Sequence, residues 1–214
     1  MVHSLINTVD LGKHPIIFDI GCSICHPDLD DFTQECLNLH HDCKVVGVDA
    51  GLEVHWKSYE QKYKEDDRVV LIKKALSDKI GQVPFYTFDE TTGISSLFNR
   101  EVFSGYTNMV ETVVECTTID DLCTQLKVAT IDYLKIDAEG SELNILKGAK
   151  KMLHGGNINN IQVEFHNTLH TTDAGFCFED LENLLTPHQF KVQNKITIRQ
   201  LFIVVQQGEV YNGV

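Results

Sequence analysis

Apolar positions along the chain alternate between two patterns: short runs rich in β-branched and aromatic residues, and stretches where they recur every three or four residues. The clearest alternation spans Ile131 to Gly156, IDYLKIDAEGSELNILKGAKKMLHGG. Ile131 to Ile136 is apolar at nearly every position and predicts a strand buried on both faces, as in a parallel sheet. The spacing of Leu143, Leu146, Ala149 and Leu153 then predicts one helix. Ser141 is its expected N-cap, Glu142 lies in its first turn, Lys150, Lys151 and His154 lie near its end, and Gly155 and Gly156 stop it. Between strand and helix, Asp137-Ala138-Glu139-Gly140 sets two carboxylates on a tight turn at the carboxyl end of a strand, where open α/β sheets bind ligands.

The same alternation runs through the rest of the chain. Ile16 to Gly21 predicts a strand closing on Asp19 and Gly21, followed by a helix over Leu29 to Leu39. Lys44 to Asp49 predicts the second strand, Glu53 to Tyr63 its helix, and Arg68 to Leu76 a third strand that leads into Ser77 and Asp78. The pattern then changes. Val83 to Phe88 and Thr112 to Thr117 predict an inserted hairpin within residues 83–117, with Thr91 to Thr107 as a lid loop over one end of the sheet. Thr118 caps a short helix over Ile119 to Leu126. After the central unit come a strand over Ile158 to Phe165, a helix over Phe178 to Leu185 stopped near Pro187, and a closing hairpin of Phe190 to Gln193 with Gln200 to Val205. This order predicts an α/β fold with a parallel sheet and helices on both faces, but names no function.

Length and composition narrow the class. With 214 residues and only 4 Pro, a single domain over residues 1–214 is expected, with residues 1–14 as an N-terminal extension. No window approaches the roughly 18 apolar residues of a membrane span. A formal charge of −13 without a local basic patch argues against partnership with nucleic acid or anionic membrane, and favours a small or neutral substrate. The N-terminus lacks a secretory pattern, and seven Cys without framework spacing fit reduced thiols, so a cytoplasmic location is expected.

Three constellations carry candidate chemistry. The loop Asp19-Ile20-Gly21-Cys22-Ser23-Ile24-Cys25 stands where a glycine turn lets a ligand approach the backbone, and Asp49 follows Gly21 at the tip of the second strand. A carboxylate in that place can hold a ribose diol through two hydrogen bonds. Cys22 to His26 also matches the CxxCH pattern of haem attachment or a zinc pair. Haem attachment needs an exported chain, and zinc needs a second ligand pair that the sequence lacks, so Cys22 and Cys25 are read as packing residues and no metal is assigned. Asp137, Glu139, Glu164 and His166 lie at the ends of two strands expected to be neighbours, where they could supply a general base or a metal site. The plainer alternative makes Asp137 or Glu139 a helix cap and Glu164 a solvated edge acid. His40, His41 and His170 read as surface residues.

The stretch YLKIDAEGSELNILKGA resembles the signature of FkbM-family methyltransferases, whose usual form is Lys, Ile, Asp, any residue, Glu, Gly, any residue, Glu, then a leucine and Gly-Ala. Further segments agree in order: Asp19 and Gly21 closing a strand, ALSD before Gly81, Ser96-Leu97, TTIDDL at Thr117 to Leu122, and Val163-Glu164. The resemblance covers about Ile16 to Val205 and implies a Rossmann-like class I methyltransferase fold, with a seven-stranded, mostly parallel sheet. It implies S-adenosylmethionine as cofactor. The backbone around Asp19, Gly21, Cys22 and Ser23 would then face the methionine part and Asp49-Ala50 the ribose. Ala75, Leu76, Ser77 and Asp78 would face the adenine, with Asp137 near the amino group or the reacting centre.

The implied reaction is methyl transfer to oxygen of a small molecule or sugar, with His166 or Glu139 as base and Glu164 beside them. Two departures stand out: Cys22-Ser23-Ile24-Cys25 replaces the usual Ala-Asn-x-Gly, and Asp49-Ala50 replaces Glu-Pro. Two rival classes remain. A nicotinamide-dependent oxidoreductase would use the same half-fold, though its glycine fingerprint is absent. A non-catalytic binding or regulatory module would tolerate the altered loop.

Overall fold

The computed structural model describes residues 5–22, 31–87, 95–99, 109–165, 176–196 and 201–207. Its strands are β1 (Ile16–Ile20), β2 (Lys44–Val48), β3 (Val69–Ile72), β4 (Ala75–Leu76), β5 (Gly81–Thr87), β6 (Val110–Thr117), β7 (Tyr133–Ile136), β8 (Asn160–Phe165), β9 (Phe190–Ile196) and β10 (Leu201–Gln207). The helices are α1 (Phe32–Leu39), α2 (Glu53–Tyr63), α3 (Ile119–Leu126), α4 (Glu142–Lys147), α5 (Lys150–His154) and α6 (Phe178–Leu185). The main sheet has the order β3-β2-β1-β7-β8-β10-β9. The first five strands are mutually parallel, and β10 then runs antiparallel to both β8 and β9. This is a methyltransferase-like α/β fold. Strand order reverses between β1 and β7, the switch point outside whose carboxyl ends open α/β sheets place their ligands.

Successive residues of the central strands face opposite layers, which is why these strands are apolar throughout. Phe18, Val46 and Leu134 join one buried cluster with Leu122, Leu146 and Leu153 of α3, α4 and α5. Their neighbours Ile17, Val45 and Tyr133 join the other, with Phe32, Leu37, Trp56 and Tyr59 of α1 and α2. Both faces are thereby covered, as parallel sheets require. Among the described residues, no helix is long and apolar enough to cross a membrane.

Two expectations are corrected, the third strand and the helix after β7. The stretch Arg68 to Leu76 is not one strand: β3 ends at Ile72, and β4 leaves to pair with β6 in a second sheet of order β4-β6-β5. The inserted hairpin is present as the antiparallel pair β5 and β6, and β4 adds a third strand to it; Val83, Phe85 and Cys116 of this sheet pack with Ala50 and Ala75. The helix expected over Leu143 to Leu153 is two helices, broken at Gly148 and Ala149. A Cβ on Gly148 would stand 2.1 Å from the Ser77 carbonyl oxygen, so the backbone after β4 presses into the break. Asp120 stabilises the restart, its carboxylate accepting from the Lys151 and Met152 amides at 2.8 and 3.0 Å. The N-terminal segment packs on the sheet: Ile6 and Leu11 are buried beside Ile17 and Tyr133, and the Leu5 amide donates to Gln162.

The caps at Thr118 and near Pro187 lie where expected: the Thr118 hydroxyl accepts from the Asp121 amide, and Pro187 sits in a 3-10 turn after α6. Of the lid loop expected over Thr91 to Thr107, residues 91–94 and 100–107 lie outside the described residues, as do His26 and His170. Within that loop, Ser96 bridges to Tyr86 of β5.

Candidate active site

Gly21, directly after β1, adopts φ +77° and donates its amide to the Val48 carbonyl at 2.9 Å, which carries the β1–β2 pairing to the strand tips. On the other side, a Cβ on residue 21 would stand 1.8 Å from the Asp137 carbonyl oxygen. Only glycine therefore fits, through both its conformation and the close approach of the β7 turn. Asp49 is thus held next to the first loop, and its Oδ1 accepts from the Gly51 amide at 2.5 Å. Ala50 is buried against Ala75, so the two segments expected at ribose and adenine are neighbours.

The turn at residues 137–140 is built by Glu142. Its Oε1 accepts from the amides of Ala138 and Gly140, at 3.1 and 3.0 Å. Ser141 precedes α4, yet its side chain makes no cap bond. Burial pushes the Glu142 carboxyl up to about 7, although the backbone amides oppose this. Glu139 has φ +51°, a conformation that costs a residue with a side chain about 1 to 3 kcal/mol and collects at functional sites. Ser96 fixes it from the inserted region, its hydroxyl donating to the Glu139 carbonyl at 2.8 Å.

Charges converge behind this turn. The Lys135 ammonium, in the buried strand β7, lies 3.4 Å from both Asp19 Oδ1 and Asp137 Oδ2. It also sits 5.9 Å from the centre of the Phe32 ring. Burial lowers its pKa, but the neighbouring Asp19 and Asp137 carboxylates outweigh this and hold it above the ordinary lysine value. The Asp19 carboxylate accepts from the Thr33 hydroxyl of α1 at 2.8 Å. Burial still raises its pKa, with Lys135 and Thr33 opposing. Glu164 at the end of β8 is buried and hydrogen-bonded to Asp137. Burial, then the Asp137 charge and that hydrogen bond, raise its pKa well above the usual carboxylate range. Its protonated form is therefore favoured beside Asp137, and because the side chain is buried the reading of a solvated edge acid does not hold.

The structure thus gathers Asp19, Gly21, Asp137, Glu139 and Glu164 at the carboxyl ends of β1, β7 and β8, with Asp49 and Ala50 beside them. Cys22 is present only as backbone: its thiol is buried, and a Cβ on Gly47 would lie 3.0 Å from its sulfur. Burial pushes that thiol far above its ordinary pKa, the reverse of a metal-ligating thiolate. Leu76 is likewise core, and Ser77 is engaged through its backbone, donating to the Thr117 carbonyl, while its hydroxyl donates to Asp78. Ser23, Cys25 and His166 lie outside the described residues. Among the described residues, no group of three or more metal-binding side chains converges. Lys135, Thr33 and Glu142 were given no role from sequence. The signal for Lys135 was a charged residue in a strand read as buried on both faces.

The model of the methyltransferase FkbM domain matches residues 19–192. Among solved structures, a methyltransferase FkbM from Methylobacillus flagellatus aligns with a TM-score of 0.59 at 14% identity, over 90% of this chain and 43% of that one. An O-methyltransferase family protein from Burkholderia thailandensis aligns with a TM-score of 0.49 at 8% identity, over 94% and 53% of the two chains. The chain thus spans about half the length of the solved structures it resembles. No curated protein matches it.

Proposed function

We propose that this chain, which belongs to the FkbM methyltransferase family, uses S-adenosylmethionine to methylate a hydroxyl of a small molecule or sugar. The observation that carries the reading is the apposition of Gly21 and Asp137 at the sheet's switch point, with Asp49 at the neighbouring strand tip. That donor set fits the cofactor: carboxylates at the ends of β2 and β7 suit a ribose diol and a cationic amino acid group, while the enclosed Asp19 contributes through its place beneath the loop rather than by contact. Asp49 would hold the diol, the backbone at Gly21 and Cys22 the methionine part, and the segment from Ala75 to Asp78 the adenine. When bound, S-adenosylmethionine supplies a methyl group activated by a sulfonium.

The chain's own task is to orient the acceptor oxygen and take its proton. Glu164, whose protonated form is favoured, is suited to donate a hydrogen bond rather than to act as base. Proton removal falls to Glu139, on the turn fixed by Ser96 and Glu142, or to His166, the residue after β8. The loop from Thr91 to Thr107 would cover the acceptor, and the whole chain would act as one cytoplasmic domain.

The test is calorimetry with S-adenosylhomocysteine and with NAD, followed by assay of methyl transfer from labelled cofactor into extract. Binding of the first with turnover supports the reading. Binding without turnover on any acceptor supports the non-catalytic module, and binding of NAD alone the oxidoreductase.

A further inference from the structure

The pairing register sets Asp19 of β1 opposite Lys135 of β7. This places an ion pair inside the sheet, where both residues are buried. An apolar pair of similar volume would serve such a core as well or better, so stability gives no reason for these residues. What distinguishes the pair is its reach. Lys135 stands as close to Asp137, at the switch point, as to its core partner, at 3.4 Å from each. The Asp137 side chain is also partly exposed, whereas Asp19 is enclosed. The ammonium therefore links a closed core charge to an open one at the site.

We infer that Lys135 is a positioning residue: its buried ammonium, braced by Asp19, holds the Asp137 carboxylate as an anion at the tip of β7, aimed at the cationic end of a bound ligand. The groups facing Lys135 are Asp19 and Cys22 from β1 and its loop, Asp137 from its own strand, Glu164 from β8, and the Phe32 ring from α1. Thr33 completes the brace by donating to Asp19. With the ammonium in place, Asp137 is the anion of the Asp137–Glu164 pair and Glu164 the proton carrier. Without it, Asp137 loses the positive charge that favours its ionised form and holds the proton of the pair a larger part of the time, although burial still favours Glu164 as the carrier.

The inference rests on the proposed function for the identity of the ligand, but its first test needs no ligand. Carboxyl carbon resonances of Asp137 and Glu164 are followed against pH in the ligand-free protein, with Asp137→Asn assigning the signals. Lys135→Met alone strands a buried Asp19 charge and can prevent folding, so the informative variant is Lys135→Met with Asp19→Asn, which removes both charges together. The expected result is an Asp137 midpoint about 1 to 3 pH units higher in the double variant, the usual effect of losing an adjacent opposite charge. Asp19→Asn alone should leave the midpoint unchanged or lower it, and Lys135→Arg should keep it low. Equal Asp137 midpoints in wild type and double variant overturn the inference.

In a second arm, S-adenosylhomocysteine affinity at pH 7 should fall about tenfold in the double variant, as for loss of one charge-assisted hydrogen bond. An unchanged affinity overturns the positioning role even if the midpoint moves. Absence of binding to the wild type contradicts the proposed function instead, and the carboxyl midpoints then decide the present inference.

Discussion

Gly21 and Asp137 lie so close that the space for a Cβ on one is filled by the carbonyl oxygen of the other, 1.8 Å from it. The contact joins the loops leaving β1 and β7 at the switch point and fixes how far apart their carboxylates stand. Gly21→Ala would force a side chain into φ +77° and into that carbonyl. The expected loss of stability exceeds the roughly 1 to 3 kcal/mol that the conformation alone costs. Denaturant unfolding measures it, and a loss under about 1 kcal/mol would show that the two loops are free to separate.

Glu142 should make stability depend on pH. Its folded-state pKa is raised from 4.5 to about 7, so the native state holds its proton more tightly than the unfolded chain. Its contribution is complete below about pH 4.5 and is lost as pH rises through about 7, on the order of 2 to 3 kcal/mol in all. Glu142→Gln keeps an oxygen to accept from Ala138 and Gly140 but cannot ionise. The fall in melting temperature between pH 5 and pH 8 should therefore be smaller in the variant. Parallel curves would mean that the carboxyl does not titrate in this range.

Much of this architecture was legible in the sequence because parallel strands covered on both faces are apolar at every position and helices recur with their own period. The strands carrying Asp19, Asp49, Asp137 and Glu164 were all readable in this way. The split at Gly148 was not, because it arises from the Ser77 backbone, which is 71 residues away in the chain (148 − 77). Nor was the departure of β4 into a second sheet, since Ala75 and Leu76 are as apolar as the strand before them and only pairing with β6 separates them. Within the site, the acids were visible as strand-end residues, while their protonation was not. It depends on Lys135 and on the burial of Glu164, which are properties of the assembled sheet.

The identity of the base is separable from cofactor retention. Were Glu139 the base, Glu139→Gln should lower turnover by about 10² to 10⁴ with cofactor affinity nearly intact, and His166→Ala should do so if the histidine takes the proton. The pH profile distinguishes them independently. A histidine base gives activity rising through about pH 6.5, a limb that vanishes in His166→Ala and persists in Glu139→Gln. Wild-type turnover in both variants would exclude both residues.

The break between α4 and α5 offers a test of the packing account. Asp120→Ala removes the acceptor for the Lys151 and Met152 amides, and should cost about 0.5 to 2 kcal/mol in chemical denaturation, the range of a lost cap. An unchanged midpoint would show that α5 is held by its buried Met152 and Leu153 alone.

The central claim is that the tips of β1, β2 and β7 form a site for S-adenosylmethionine, and calorimetric titration with S-adenosylhomocysteine addresses it most directly. The account predicts saturable binding at one ligand per chain. It also predicts at least a tenfold loss of affinity in Asp49→Ala without loss of fold, because two charge-assisted hydrogen bonds worth about 1.5 to 3 kcal/mol each disappear. Absence of binding to the wild type, or equal affinity in the variant, would contradict it.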